Sequence, residues 1–221
     1  MPQRPHPETL RAAAIGYASL GIPILPDQPD NRWPDPVAGP PVCTCRRRDC
    51  PGLPVHLPRH LDLDGSARHA RDVGRYWTAT PDAAVATVAG AAFDVIEIHT
   101  ALGGDLILDW LSAQDLPPGP ILRAGLGRLQ LLAVPDSYQP DRYDSATAAI
   151  LYLPTGSLIL LPPSPLNDGQ SVSWLRSLDP GAELPDGAEL FFALVELPTN
   201  RQLANAEVYT FPAVRQHCRT G

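Results

Sequence analysis

Between Glu8 and Leu20 the apolar positions Leu10, Ala13, Ala14, Tyr17 and Leu20 recur at near-helical spacing, with Gly21 behind them as a C-cap candidate. The spacing predicts a short amphipathic helix. Ile22 to Leu25 then reads as a brief strand ending at Pro26, and the chain from Asp27 to Pro58 is too rich in proline for regular structure. A second helix fits Ser66 to Trp77, with Ser66 as N-cap and Val73 and Trp77 four residues apart on one stripe. Two apolar, β-branched segments follow, Ala84 to Val88 and Ala92 to Ile98, around Ala89-Gly90-Ala91, and they read as central strands. Leu106, Ile107, Trp110 and Leu111 give Gly104 to Gln114 a helical face, which Asp115-Leu-Pro-Pro-Gly ends.

The second half alternates differently. Ile121 to Arg123 and Arg128 to Val134 flank Ala124-Gly125-Leu126-Gly127, the pattern of a glycine-bearing hairpin. Ile150 to Leu153 and Ser157 to Leu161 repeat that arrangement around Pro154-Thr155-Gly156, which predicts a second strand pair. Val172 to Leu175 reads as a last strand and Glu189 to Val195 as a last helix before a polar tail. Helices interleaved with short strands make an αβ unit.

Composition narrows the function classes. The 221 residues carry 17 basic against 24 acidic side chains, a net charge of −7, and every basic residue is arginine. That balance argues against a protein that coats duplex DNA electrostatically. Residues 1–80 hold 10 arginines against 8 acids and residues 81–221 hold 7 against 16, so local basic patches remain open in the first part. The 27 prolines are about twice the usual share, which disfavours long uninterrupted elements. No apolar run reaches the roughly 20 residues of a membrane span, and no apolar stretch backs the N-terminal Arg4, so a soluble, cytoplasmic protein is expected.

The chemistry-bearing cluster is Cys43-Thr-Cys45-Arg-Arg-Arg-Asp-Cys50, with His56 and His60 close behind. A disulfide between Cys43 and Cys45 would be strained, and three local thiols cannot all pair. Cys43, Cys45, Cys50 and His56, or His60 in its place, make a tetrahedral set for a structural zinc ion. Zinc would also order a loop, residues 40–60, that has little apolar surface of its own. The alternative is three reduced surface cysteines beside a histidine, and Cys218 reads as a free thiol. Arg46, Arg47 and Arg48 sit between the ligands, where they can meet phosphates or remain a solvated charge run.

These segments, in order, resemble the bifunctional DNA primase/polymerase (prim-pol) domain of the archaeo-eukaryotic primase superfamily, in the form common in actinobacteria. The resemblance spans roughly residues 9 to 175. It rests on the first helix leading into Gly21-Ile-Pro-Ile-Leu-Pro, on Cys50-Pro-Gly-Leu-Pro-Val-His56, and on Tyr76-Trp77 with Pro81. It continues through Gly90-Ala-Ala-Phe-Asp-Val-Ile-Glu-Ile and Arg123-Ala-Gly-Leu-Gly-Arg, and closes with Pro162-Pro163-Ser164, Gly169 and Trp174. The resemblance implies an α+β fold with an archaeo-eukaryotic primase-like core, a two-layer mixed sheet with helices carrying the zinc-stabilised loop, over residues 1–180, followed by a C-terminal helix and tail over 181–221. It also implies primer synthesis and strand extension in DNA replication with two divalent metal ions, Mg or Mn. Such ions need hard oxygen ligands. The family sets two acids at i and i+2 on the central strand, a histidine in the glycine hairpin, and a third acid on a later strand.

This chain departs from that pattern at each position. The central-strand pair falls on Glu97 and His99, which share a face but include one carboxylate only. The hairpin histidine position falls on Leu129, or on Gln130 if the register slips, and Leu151-Tyr-Leu-Pro-Thr-Gly contains no acid. Asp94 is expected on the opposite face of the strand, as a strand-entry or capping residue. Asp105 or Asp109 could complete a His-carboxylate site with Glu97 and His99, and Arg123 and Arg128, which flank the hairpin, could contact phosphate. The expectation is a nucleotidyltransferase by descent whose activity is weak or absent and which binds nucleotides or single-stranded DNA. The alternative is a non-catalytic zinc-containing module that binds nucleic acid or a protein partner.

Overall fold

The computed structural model describes residues 5–27, 70–99, 104–125, 127–136, 150–153, 155–166 and 170–196. Cys43, Cys45, Cys50, His56 and His60, with Arg46, Arg47 and Arg48, lie outside these residues. In chain order the described elements are α1 (Pro7–Ser19), β1 (Leu25–Asp27), α2 (Ala70–Ala79), β2 (Ala84–Val88), β3 (Asp94–His99) and α3 (Gly104–Ala113). They continue with β4 (Ile121–Arg123), β5 (Arg128–Ala133), β6 (Ile150–Tyr152), β7 (Leu158–Leu160), β8 (Ser173–Arg176) and α4 (Gly187–Val195).

Local chemistry accounts for the element ends. Pro7 opens α1, and the ring nitrogen of His6 accepts the Glu8 N–H at 3.4 Å, while Leu10, Ala14 and Ala18 form its buried stripe. In α2 the predicted stripe is buried, and the Trp77 indole N–H donates to the Ala83 carbonyl at 3.0 Å, which fixes the turn into β2. Asp186 caps α4 by accepting the N–H groups of Ala188 and Glu189. The strand expected over 22–25 lies later, and Pro26 is inside it opposite Val85. Among the described strands β1 lies at the edge of its sheet, where a residue without an N–H is tolerated.

The strands form two sheets, one ordered β1-β2-β7 and one ordered β6-β3-β5-β4-β8, and every named pairing is antiparallel. The α+β class holds, but the sheets are antiparallel rather than mixed. A second correction concerns residues 150–161. β6 pairs with β3, whereas β7 pairs with β2, so the two are not a hairpin. Thr155 and Gly156 carry the chain from one sheet to the other, held by hydrogen bonds from Gly156 N–H to Ala89 O and from Ala89 N–H to Ser157 O, both 2.9 Å. Gly90, at φ +81°, makes the matching passage from β2 towards β3. A Cβ there would lie 2.6 Å from the Thr155 methyl, so the crossover needs glycine.

The five-stranded sheet divides the molecule. On one face Ile96, Ile98, Leu129 and Leu131 pack with Ile107 and Leu111 of α3 and with Leu190, Phe191 and Leu194 of α4. The Trp110 indole N–H donates to Ala193 O at 2.9 Å and ties the two helices together. The C-terminal helix thus shares a core with the sheet. On the other face Val95, Leu122 and Leu132 join a second core with α1, α2, Val85 and Ile159. Ser164, fully buried, closes this side by donating to Val85 O and accepting from Val85 N–H. The motif tail acts here too: Trp174 donates to the Tyr17 hydroxyl at 3.1 Å, and Tyr17 donates to Pro162 O at 2.9 Å. Burial pushes the Tyr17 hydroxyl pKa up, and the bond from Trp174 opposes that rise.

Candidate functional site

The polar positions of the five-stranded sheet follow from its register. Glu97 stands directly opposite Gln130 and His99 opposite Arg128, while Ile98 faces Leu129. The alternation Arg128-Leu129-Gln130-Leu131 therefore sends the leucines to the face covered by α3 and α4 and sets Arg128 and Gln130 on the face of Glu97. Of the two hairpin positions considered from sequence, Gln130 is the one that shares that face. The hairpin closes as expected, with Ala124 N–H bonded to Arg128 O at 3.0 Å, and Gly125 and Gly127 at φ +132° and +67°.

Glu97 is buried, with a side chain only 6% exposed, and Arg128 reaches it from a half-exposed position. Its Oε2 accepts from the Arg128 guanidinium at 2.7 Å and from Gln130 Nε2 at 2.8 Å. The pair is a diagonal cross-strand ion pair, and it neutralises the carboxylate. Gln130 Oε1, buried with the rest of that side chain, has no hydrogen-bond donor. Turning the amide over would bring two acceptor oxygens together, so Nε2 is the atom that faces Glu97.

Other candidates fall elsewhere. Asp109 is exposed on α3, beside a groove of about 570 Å³ lined with Ser112, Asp115 and Arg176. Since α3 covers the opposite side of the sheet, neither Asp105 nor Asp109 is carried by an element on the Glu97 face. Arg123 pairs with Leu129 and Arg128 with His99, so the two hairpin arginines lie on opposite faces and do not form one phosphate grip. Asp94 is on the face opposite Glu97 as expected, but it does more than begin the strand. It is 4% exposed and its Oδ2 accepts from the Tyr152 hydroxyl at 2.6 Å. Burial raises its pKa, the Tyr152 bond lowers it, and Asp136 acts both ways, raising it by its charge and lowering it through a backbone hydrogen bond.

The family described as bifunctional DNA primase/polymerase, N-terminal, matches residues 14–187. The chain belongs to this family. No curated protein matches, and no solved structure does. A DNA primase/polymerase-like function follows at family level. Prim-pol chemistry requires divalent cations held by oxygens, and the Glu97 face does not fit one: a guanidinium nitrogen 2.7 Å from the carboxylate oxygen stands where a cation would have to approach. Among the described residues, no three His, Cys, Asp or Glu side chains come together in a way that could hold a metal. Also among them, no helix is long and apolar enough to cross a membrane.

Proposed function

We propose that this prim-pol domain protein retains the family's scaffold and its affinity for nucleotides or single-stranded DNA, but has weak or no nucleotidyl transfer. The observation that carries the reading is the engagement of Glu97 by Arg128 and Gln130. Transfer by the two-metal route needs several hard oxygens at one place to offset the cations' charge. Here the second strand position is His99, the hairpin supplies Gln130, and the segment 151–156 has no acid.

What remains favours binding. The Arg128 guanidinium has five N–H donors and uses few of them on Glu97, so its exposed side can meet a phosphate oxygen. The loop of Cys43, Cys45 and Cys50, with His56 or His60, holds a structural zinc and presents Arg46, Arg47 and Arg48 to the backbone of a single strand. Mg or Mn is then dispensable. The protein works in the cytoplasm, where its thiols stay reduced.

A primer-extension assay with Mg²⁺ or Mn²⁺ tests this reading. Little or no product is expected. Robust synthesis by the wild-type protein would overturn it, and its loss in Glu97→Gln would mark the carboxylate as a metal ligand.

A further inference from the structure

Among the described residues the five-stranded sheet ends at β8, whose one neighbour is β4. None of Ser173, Trp174, Leu175 and Arg176 takes part in a main-chain hydrogen bond beyond that pairing, so the outer side of the strand is open. Such an edge is a template for one more strand. Where the C-terminal end of β8 meets the C-terminal end of α3, a groove of about 570 Å³ runs alongside. Leu108 and Leu116 line it with apolar surface, Asp109 and Asp115 stand on the helix side, and Arg176 stands on the strand side. Neither carboxylate nor the guanidinium has an ion-pair partner among the described residues. These charges state what an occupant has to bring: a cation for the aspartates and an anion for Arg176. Two carboxylates repel a phosphate backbone, and among the described residues no third metal ligand joins them. We propose that the β8 edge and this groove dock an extended segment of a partner protein. The segment pairs its backbone with β8 and, at every second position, sets a basic, an apolar and an acidic side chain against the aspartates, the leucines and Arg176. In this mode the main chain supplies affinity and the groove supplies specificity. The docking is independent of whether nucleotidyl transfer is retained.

Asp115 is the group to change. It ends α3 in the left-handed region, at φ 55°, with its own N–H bonded to Ser112 O at 3.1 Å and Leu116 N–H bonded to Leu111 O at 3.0 Å. Glycine is the usual residue at such a helix end, and an anion there opposes the helix dipole. Asp115→Gly should therefore melt at or above wild type while losing the peptide, a combination that a structural aspartate would not give. The probe is a displayed library of random dodecapeptides selected on the immobilised full chain, and enriched peptides are then measured by fluorescence anisotropy. Wild type should enrich sequences with a basic, an apolar and an acidic residue at alternate positions. Asp115→Gly and Arg176→Glu should each weaken an enriched peptide roughly tenfold or more. Arg71→Glu, on α2 at the opposite face of the sheet, should not. N-methylation of one alternating set of peptide amides should abolish binding and of the other set should not, as pairing with a strand edge requires. Failure of wild type to enrich any peptide over an Asp115→Gly background overturns the inference. So does an enriched peptide that binds both proteins equally, or that tolerates both N-methylated sets. An Asp115→Gly protein that melts clearly lower than wild type makes the aspartate structural and overturns it too. A dimer in sedimentation velocity that Arg176→Glu breaks seats a second copy in the groove and overturns the partner assignment.

Discussion

Asp94 is the other acid of the central strand, and its environment makes it a structural group whose cost depends on pH. Its carboxyl is buried and its pKa is raised, chiefly by that burial, while the 2.6 Å bond from Tyr152 holds the rise in check. A raised native pKa means that the folded state keeps the proton more tightly than the unfolded chain does. Stability is therefore greatest when Asp94 is protonated, and it falls as pH rises from the ordinary aspartate range through the higher native value. At neutral pH the ionised carboxylate depends on the Tyr152 donor. Tyr152→Phe keeps the ring, and with it the edge-on contact to Phe191 at 6.0 Å, but deletes that donor. A hydrogen bond to a charged group contributes about 1.5–3 kcal/mol. For a domain of this size the melting temperature at neutral pH should drop by roughly 3–12 °C. In acid, where Asp94 carries its proton, the loss should shrink. Asp94→Asn keeps an acceptor for Tyr152 and removes the charge, so it should match or exceed wild-type stability at neutral pH and flatten the pH dependence. Thermal melts of the three proteins across that range decide the matter. A Tyr152→Phe loss that stays constant or grows in acid refutes the reasoning, as does an Asp94→Asn protein clearly less stable than wild type at neutral pH.

Two further predictions concern residues 40–60. Protein purified without added zinc should contain about one zinc per chain, and Cys43→Ser, Cys45→Ser or Cys50→Ser should each remove it; a metal-free, fully folded wild type would rule the zinc loop out. Replacing Arg46, Arg47 and Arg48 together by alanine should weaken single-stranded oligonucleotide binding and lower its logarithmic salt slope by up to about 2, at ~0.7 per phosphate contact, whereas an unchanged slope would make the run surface charge alone.

Much of the layout was legible in the sequence because periodicity reports burial directly. The stripe of Val73 and Trp77, the apolar run of β2 and the glycine hairpin of β4 and β5 all stand where the spacing puts them. The alternation from Arg128 to Leu131 even contains the answer to the register question, since only one phase hides both leucines. What could not be read is which strand pairs with which. A glycine-bearing turn looks the same whether it folds two strands against each other, as at Gly125, or hands the chain to another sheet, as at Gly156. The difference lies in distant partners, Val95 for Leu153 and Val85 for Leu161, and no local pattern encodes them. The grouping of Glu97 with Arg128 and Gln130 was missed for the same reason: it requires the β3–β5 register, which residue spacing within either strand does not supply.

That grouping also explains how a buried carboxylate is accommodated on this face. A buried charge left without a partner is strongly destabilising, whereas a paired and hydrogen-bonded one is not. Glu97 is nearly fully buried, so without partners it would carry that penalty. Arg128 and Gln130 remove it, one by charge and one by an N–H donor, and in doing so they bind β3 to β5 across the centre of the sheet. Glu97 is thus a structural tie between the two strands. It follows that Glu97→Ala is a poor probe of chemistry, because it strands a guanidinium and an amide whether or not the carboxylate ever touched a metal. Glu97→Gln, which still offers an oxygen to Arg128, is the substitution whose effect on activity speaks to mechanism.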